Sequence, residues 1–295
     1  MSPADSDKPP DSTRRFRPGQ FSLRTMMVCI AVFSIWLGWY VHSATRQQRA
    51  VRAILERGGT VTYDYQYDTA QDRVVPNGKA PRPVWLQRLL GDDYFHHVVR
   101  VSLDDVATDA DLVHLEVMPR LRQLFLGGAD VSDAGLEHLE NLRELRLLVL
   151  WGNPISGRGL KHLRGLKELR QLDLSQTPSQ DEHLIHLTHL SRLERLDLPN
   201  NPQISGSFLE HIADLPNLQS LVLRGSGISD EYLVHLKRTK KLQSLMLDGT
   251  QVTDAAVIHL QDLTSLQNLD VTDTGVSRAA VAVIKASLPQ ASIKP

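Results

Sequence analysis

Leu121-x-x-Leu124-x-Leu126, followed by Val131-Ser132-Asp133 and then Leu136-x-x-Leu139-x-x-Leu142, decides the fold, because the chain repeats it. Its first leucine recurs at 145, 169, 193, 218, 242 and 266, in steps of 24 residues with one of 25. Counted from Val98, eight such units run to about Leu288. Within a unit, Leu124 and Leu126 alternate with Gln123 and Phe125, which is the period of a strand. Leu136, Leu139 and Leu142 recur at helical spacing. One unit alone cannot bury both apolar edges. Stacking buries them in a continuous core, with the strands forming a parallel sheet at about 4.8 Å per step.

The joint recurrence of these columns resembles the leucine-rich repeat, whose period is about 20–29 residues. The resemblance covers roughly two thirds of the chain and implies an α/β leucine-rich-repeat solenoid, a curved horseshoe. Its parallel sheet would line the concave face and its short helices the convex face. A further column holds Val106, Ala129, Asn153, Thr177, Asn201, Ser226, Thr250 and Thr274. Leucine-rich repeats turn such residues inward to satisfy turn backbone groups. Buried, hydrogen-bonded side chains are therefore expected from Asn153 onward, with a looser turn in the first two units. Ser132, Ser156, Ser205, Ser229, Thr253 and Ser277 stand where the second block begins and read as helix N-caps. Asp133, Asp230 and Asp254 follow in the first turn, where the helix dipole favours an acid. Pro178-Ser179-Gln180 breaks the fourth unit, and the fifth carries an extra residue near Pro202, so the convex side is expected to be irregular there.

The formal net charge of −1 over 295 residues hides an asymmetry. Residues 1–57 hold nine Lys+Arg and four Asp+Glu, whereas 58–295 hold 24 and 30. A mildly acidic array argues against nucleic acid as the ligand, because phosphate contacts need clustered Lys/Arg. The single cysteine, Cys29, excludes an intramolecular disulfide or a thiolate metal site.

Residues 1–20 are rich in Pro, Ser, Asp and Arg and read as a disordered basic tail. Residues 21–43 read as a transmembrane helix in contact with the lipid bilayer. Its uncharged core, Thr25–Val41, is 17 residues long, and Trp36, Trp39 and Tyr40 crowd one end like an interfacial belt. A cleaved signal peptide, with small residues in Val41-His42-Ser43-Ala44, and a buried soluble helix are the alternatives. Arginines at 14, 15, 17 and 24 balance those at 46, 49, 52 and 57, so the positive-inside count is a tie. A short basic tail before a long domain places the repeats on the extracytoplasmic side.

Residues 44–97 read as juxtamembrane helix, linker and N-terminal cap. Ala44–Arg57 continues the helix, with a basic face for anionic lipid or as a solvated stalk. Thr60–Tyr65 reads as a strand and 66–82 as a loop. The short helix from Pro83 to Gly91 is expected to cover the first unit with Trp85, Leu86, Leu89 and Leu90. Residues 98–295 are the repeat domain, and a helix over Ala279–Ser287 caps its far end. Phe21-Ser22-Leu23-Arg24-Thr25, the apolar run, Arg57-Gly58-Gly59, Tyr63-Asp64-Tyr65, Trp85-Leu86 and Leu90-Gly91-Asp92-Asp93 together resemble a group of bacterial membrane-anchored leucine-rich-repeat proteins. This resemblance supports the architecture more than any activity.

Histidines at 114, 138, 162, 186, 211, 235 and 259 form a column. A metal ladder and a duplicated packing phrase are the two readings; the second is preferred, since no carboxylate or cysteine column accompanies it. On the outward sheet face, Phe125, Leu147, Val149 and Trp151 are adjacent large apolar residues where solvent is expected, the mark of a protein or peptide contact. The alternative is that Tyr63, Tyr65 or Tyr94 folds over them. Asp173, Arg195, Asp197, Arg224 and Asp248 make a charged strip beside them that would orient a polar partner or simply be solvated. No nucleophile elbow, zincin helix or phosphate loop is present. The chain therefore reads as a non-enzymatic, membrane-anchored interaction scaffold with no cofactor, metal or small-molecule substrate. A self-associating envelope protein and an adaptor subunit of an enzyme complex are the rivals.

Overall fold

The structure is a computed structural model that describes residues 23–68, 71, 73–75, 78 and 84–295. The tail expected over residues 1–20 lies outside these, as do Phe21, Ser22 and Pro83. The chain divides into two compact units, Met1–Ser43 and Ala44–Pro295. Helix α1, Leu23–Glu56, runs unbroken past residue 43, as the sequence suggested. Its first half is exposed throughout and is long and apolar enough to cross a bilayer, at a mean hydropathy of 1.6. A signal sequence has the same character.

In the second unit, α1 is followed by β1 (Thr60–Tyr63), a small hairpin of β2 (Tyr67–Asp68) and β3 (Arg73–Val74), helix α2 (Val84–Leu90) and β4 (Val98–Ser102). The hairpin lies where a plain loop was expected. Then come β5 (Gln123–Phe125), β6 (Leu147–Val149), β7 (Gln171–Asp173), β8 (Arg195–Asp197), β9 (Ser220–Val222), β10 (Ser244–Met246), β11 (Asn268–Asp270) and β12 (Ser292–Lys294). Strands β4 to β12 are parallel neighbours in sequence order, and β1 pairs antiparallel with β4 at the edge. Register is kept through the irregular fourth and fifth units: Leu148, Leu172, Leu196 and Leu221 stand side by side, each at most 1% exposed. Burying one such side chain contributes roughly 2 kcal/mol, so the column sets the register. The helices that follow the strands are mostly 3₁₀, as in Gly135–Leu139 and Arg158–Gly165. Leucines three apart eclipse on a three-residue turn.

The turns after the strands are built across repeats. In every unit the residue before the polar column is left-handed: Asp105, Gly128, Gly152, Gln176, Asn200, Gly225, Gly249 and Asp273. In the first seven units its N–H donates to the next unit's turn, as Gly128 does to the Trp151 carbonyl at 2.7 Å. The polar column is buried from Asn153 to Thr250, and Thr274 is half-buried. Asn153 accepts the Val131 N–H at 2.9 Å and donates to the Leu126 and Leu150 carbonyls. Asn201 accepts from Thr177 N–H and donates to the Leu174 carbonyl in the same way. Val106 in the first unit is exposed. In the broken fourth unit, Ser179 is buried at the place held by Val131 and Ile155 in the units before it, and donates to the Ile155 carbonyl.

The N-cap reading holds for two of the six hydroxyls and is corrected for the others. Among the six hydroxyls, Thr253 and Ser277 accept from N–H groups inside the helices they precede, and Ser132 accepts from Ala134 N–H at 3.2 Å. The commoner partner is an aspartate one unit earlier. Ser132 donates to Asp109, Ser156 to Asp133, Ser205 to Asp181 and Thr253 to Asp230. Asp133 also accepts the backbone N–H groups of Ser156, Gly157 and Gly159. A carboxylate is a stronger acceptor for those donors than a hydroxyl.

The N-terminal cap is also corrected. Trp85 and Leu89 of α2 are 68% and 73% exposed and cover nothing; the side chain of Leu86 lies outside the described ones. Instead the later part of α1 packs on the first unit, with Ala50, Val51 and Ile54 joining its core. Gln47 donates to Asp93 and to the His96 carbonyl, and Arg57 pairs with Asp111 at 2.9 Å. This stretch is not a free stalk: its apolar stripe closes the open end of the stack, while Arg46, Arg49 and Arg52 on its other side stay exposed. At the far end Arg278–Ser287 is the expected helix, and β12 extends the sheet beyond it. Among the described residues, all those of the core belong to 44–295, so that unit closes its own interior.

Burial opposes ionisation of Asp133, but the Ser156 hydroxyl and three backbone donors outweigh it and hold its carboxyl below the ordinary range. A depressed folded pKa contributes stability that is present above the unfolded value of about 3.9 and is lost as pH falls through the folded one. Asp133→Asn should therefore cost about 2 kcal/mol at neutral pH and flatten the acid limb of the stability curve. Urea unfolding against pH measures this, with the exposed Asp130→Asn as the near-neutral control.

Candidate binding surface

Strand alternation turns one side chain in two away from the core, and register aligns these into rows across the sheet. One row runs Ser102, Phe125, Val149, Asp173, Asp197, Val222, Met246 and Asp270. A second begins Arg100, Gln123, Leu147, Gln171 and Arg195. Phe125, Leu147 and Val149 are therefore mutual neighbours, each half-buried, and Trp151 is 39% exposed at the strand end.

Two supports of this patch were not singled out from sequence. The Arg100 guanidinium lies 4.3 Å from the centre of the Phe125 ring and donates to Gln123 Oε1. The Trp151 indole lies over Gly127 of the preceding unit, where an added Cβ would fall 1.9 Å from Nε1. Side-chain-free backbone at Gly127 is what lets the ring lie down. The doubled glycine Gly127-Gly128 was the available signal. Tyr63, Tyr65 and Tyr94 do not cover the patch. Tyr63 and Tyr65 stack on each other, Tyr65 packs on His96, Tyr63 donates to Asp93, and Tyr94 meets Thr45 at the cap.

The charged strip is largely self-paired. Arg195 Nε meets Asp197 at 2.7 Å, Arg224 Nε meets Asp248 at 2.6 Å, and Asp173 accepts from the Ser175 N–H and hydroxyl. Val149 and Asp173 are register partners, so strip and patch share a border. Arg224 and Asp248 sit further along, at the ends of β9 and β10. Burial pushes the Asp197 carboxyl up; the Arg195 guanidinium opposes this and Asp173 adds to it. The face thus offers apolar area beside exposed guanidinium edges and largely covered carboxylates.

On the helical side, His138 and His162 meet Glu116 and Glu140, each one unit back. Burial, then the neighbouring His183 and His189, pushes the His186 imidazole down. Among the described residues no group of three or more His, Cys, Asp or Glu is arranged to hold a metal ion.

Among solved structures, internalin C2 of Listeria monocytogenes is similar at a TM-score of 0.53 with 25% identity, over 67% of this chain and 81% of that one. A leucine-rich-repeat protein of Leptospira interrogans gives a TM-score of 0.38 and 20% identity, over 62% of this chain and 56% of that one. No family model and no curated protein matches the chain. The repeats and the parallel sheet make this a leucine-rich-repeat-like fold, the architecture of protein-interaction scaffolds.

Gly127→Ala should expel the indole from its seat. Near-UV circular dichroism should lose the band that Trp151→Phe removes, with far-UV ellipticity kept; an unchanged near-UV spectrum would contradict the packing described.

Proposed function

We propose that the chain is a single-pass, membrane-anchored binding module whose repeats stand on the extracytoplasmic side and hold a protein or peptide on the outward sheet face. Phe125, Leu147, Val149 and Trp151 supply the apolar contact. Asp173, Arg195, Asp197 and Arg224 orient the partner's polar groups. The observation that carries this reading is the contiguity of large apolar side chains left open to solvent on a face that stacking does not use. A few such residues commonly carry most of an interface's energy. The anchor is supported by the exposed apolar half of α1 and its stacked Trp36–Tyr40 pair, with ring centres 5.5 Å apart. Aromatic rings of this kind sit at headgroup level.

Combining Phe125→Ala with Trp151→Ala removes two anchors worth about 2 kcal/mol each at an interface. With a proximity-labelling enzyme fused at the C-terminus, the double variant should lose the specific labelled partner while its melting temperature stays near wild type. Retained labelling rejects the site. Resistance to carbonate extraction, with protease attack on the repeats in intact cells, tests anchor and orientation; release by carbonate rejects the anchor.

A further inference from the structure

Because β4 to β12 are parallel and in register, all strand starts lie along one edge of the sheet and all strand ends along the other. The turns leading from helices into β5 through β11 hold nine Lys+Arg and six Asp+Glu. Those leading out of β4 through β11 hold one and six. The array is therefore polarised, with cations gathered where strands begin. Part of this follows from the local preference for acids at helix starts and bases at helix ends, which parallel stacking adds up.

The sixth unit exceeds that preference. Its turn reads Lys237-Arg238-Thr239-Lys240-Lys241, four cations in five residues, where the equivalent turn of the fifth unit reads Ala213-Asp214-Leu215-Pro216-Asn217. Thr239 replaces the leucine found at 142, 166, 190, 215 and 263; it is buried and donates to the Leu236 carbonyl, fixing the turn. Arg238 is neutralised by Asp214. Lys240 donates to the Lys237 carbonyl and Lys241 to Asn217 Oδ1, so neither meets a carboxylate there, and all three lysines are exposed. Asp214, Lys237, Arg238, Lys240 and Asp262 border an open depression of about 680 Å³ beside this turn. A feature of one unit that breaks the repeat pattern is not explained by repeat packing.

We propose that the turn 237–241 is a contact for anionic phospholipid headgroups, through which the repeat unit rests on a bilayer. The choice of lipid over a soluble polyanion rests on the anchor reading above, since α1 would keep the unit beside a membrane. Each lysine near an anionic surface strengthens binding about fivefold.

Residues 44–295 close their own core and lack the apolar half of α1, so flotation of that fragment tests the contact whether or not α1 anchors the chain. The probes are phosphatidylcholine vesicles, the same vesicles with about a third phosphatidylglycerol, and heparin. Flotation with the anionic vesicles alone is expected, falling on the order of a hundredfold in K237E/K240E/K241E and in high salt. K237Q/K240Q/K241Q serves if the first variant melts early. Lysine variants that float like wild type, or no preference for anionic vesicles, overturn the proposal. Heparin binding without vesicle binding overturns it in favour of an anionic polymer. Carbonate release of the full chain would sink the anchor without touching this result.

Discussion

No repeat in this chain can finish itself. Its leucine edge faces the next unit, its strand needs the next unit's carbonyls, and its turn is closed by groups roughly one period away. Leu126 N–H reaches the Val149 carbonyl, Asn153 serves the backbone around Val131 and Leu126, and Asp133 gathers the donors of the turn at Ser156. Such nearest-neighbour completion makes stability a sum along the stack. It also makes the ends critical, which is why the later part of α1 is drawn onto the first unit and why a strand follows the last helix.

Because stacking consumes the two flanks of each unit and its inward face, the outward sheet face is left as the one broad surface under little structural demand. Alternate strand positions there can vary without disturbing the core. In this chain they run from apolar at β5 and β6 to acidic at β7 and β8, with Arg100 stacked over Phe125 at one border and the Arg195–Asp197 pair near the other. Arrangement in rows turns single-residue choices into a patch, just as it turns single charged turns into a polarised edge.

The repeat count, strand positions and buried polar column were legible because a 24-residue period writes each of them several times. The apolar patch was legible from strand alternation alone. Other features were hidden for physical reasons. Ser132 and Ser156 satisfy a local capping rule, yet their carboxylate acceptors lie 23 residues back, which no local rule weighs. The stripe Ala44, Gln47, Ala50, Val51 and Ile54 looked like a membrane-proximal helix because of what precedes it, while Trp85 and Leu89 looked more like a cap because they are larger. The stripe packs through Ala50, Val51 and Ile54 and through the Gln47 hydrogen bonds to Asp93 and the His96 carbonyl. The seat of Trp151 depends on missing atoms at Gly127, which sequence shows only as a turn signal.

The central claim is that the open sheet face is occupied when the protein is at work. Hydroxyl-radical footprinting of the purified protein and of the protein in intact cells tests it most directly. Phe125 and Trp151 should react readily when purified and be shielded in cells, while Ile258 and Val283, exposed on the helical side, react alike in both. Equal reactivity of Phe125 and Trp151 in the two states would contradict the account.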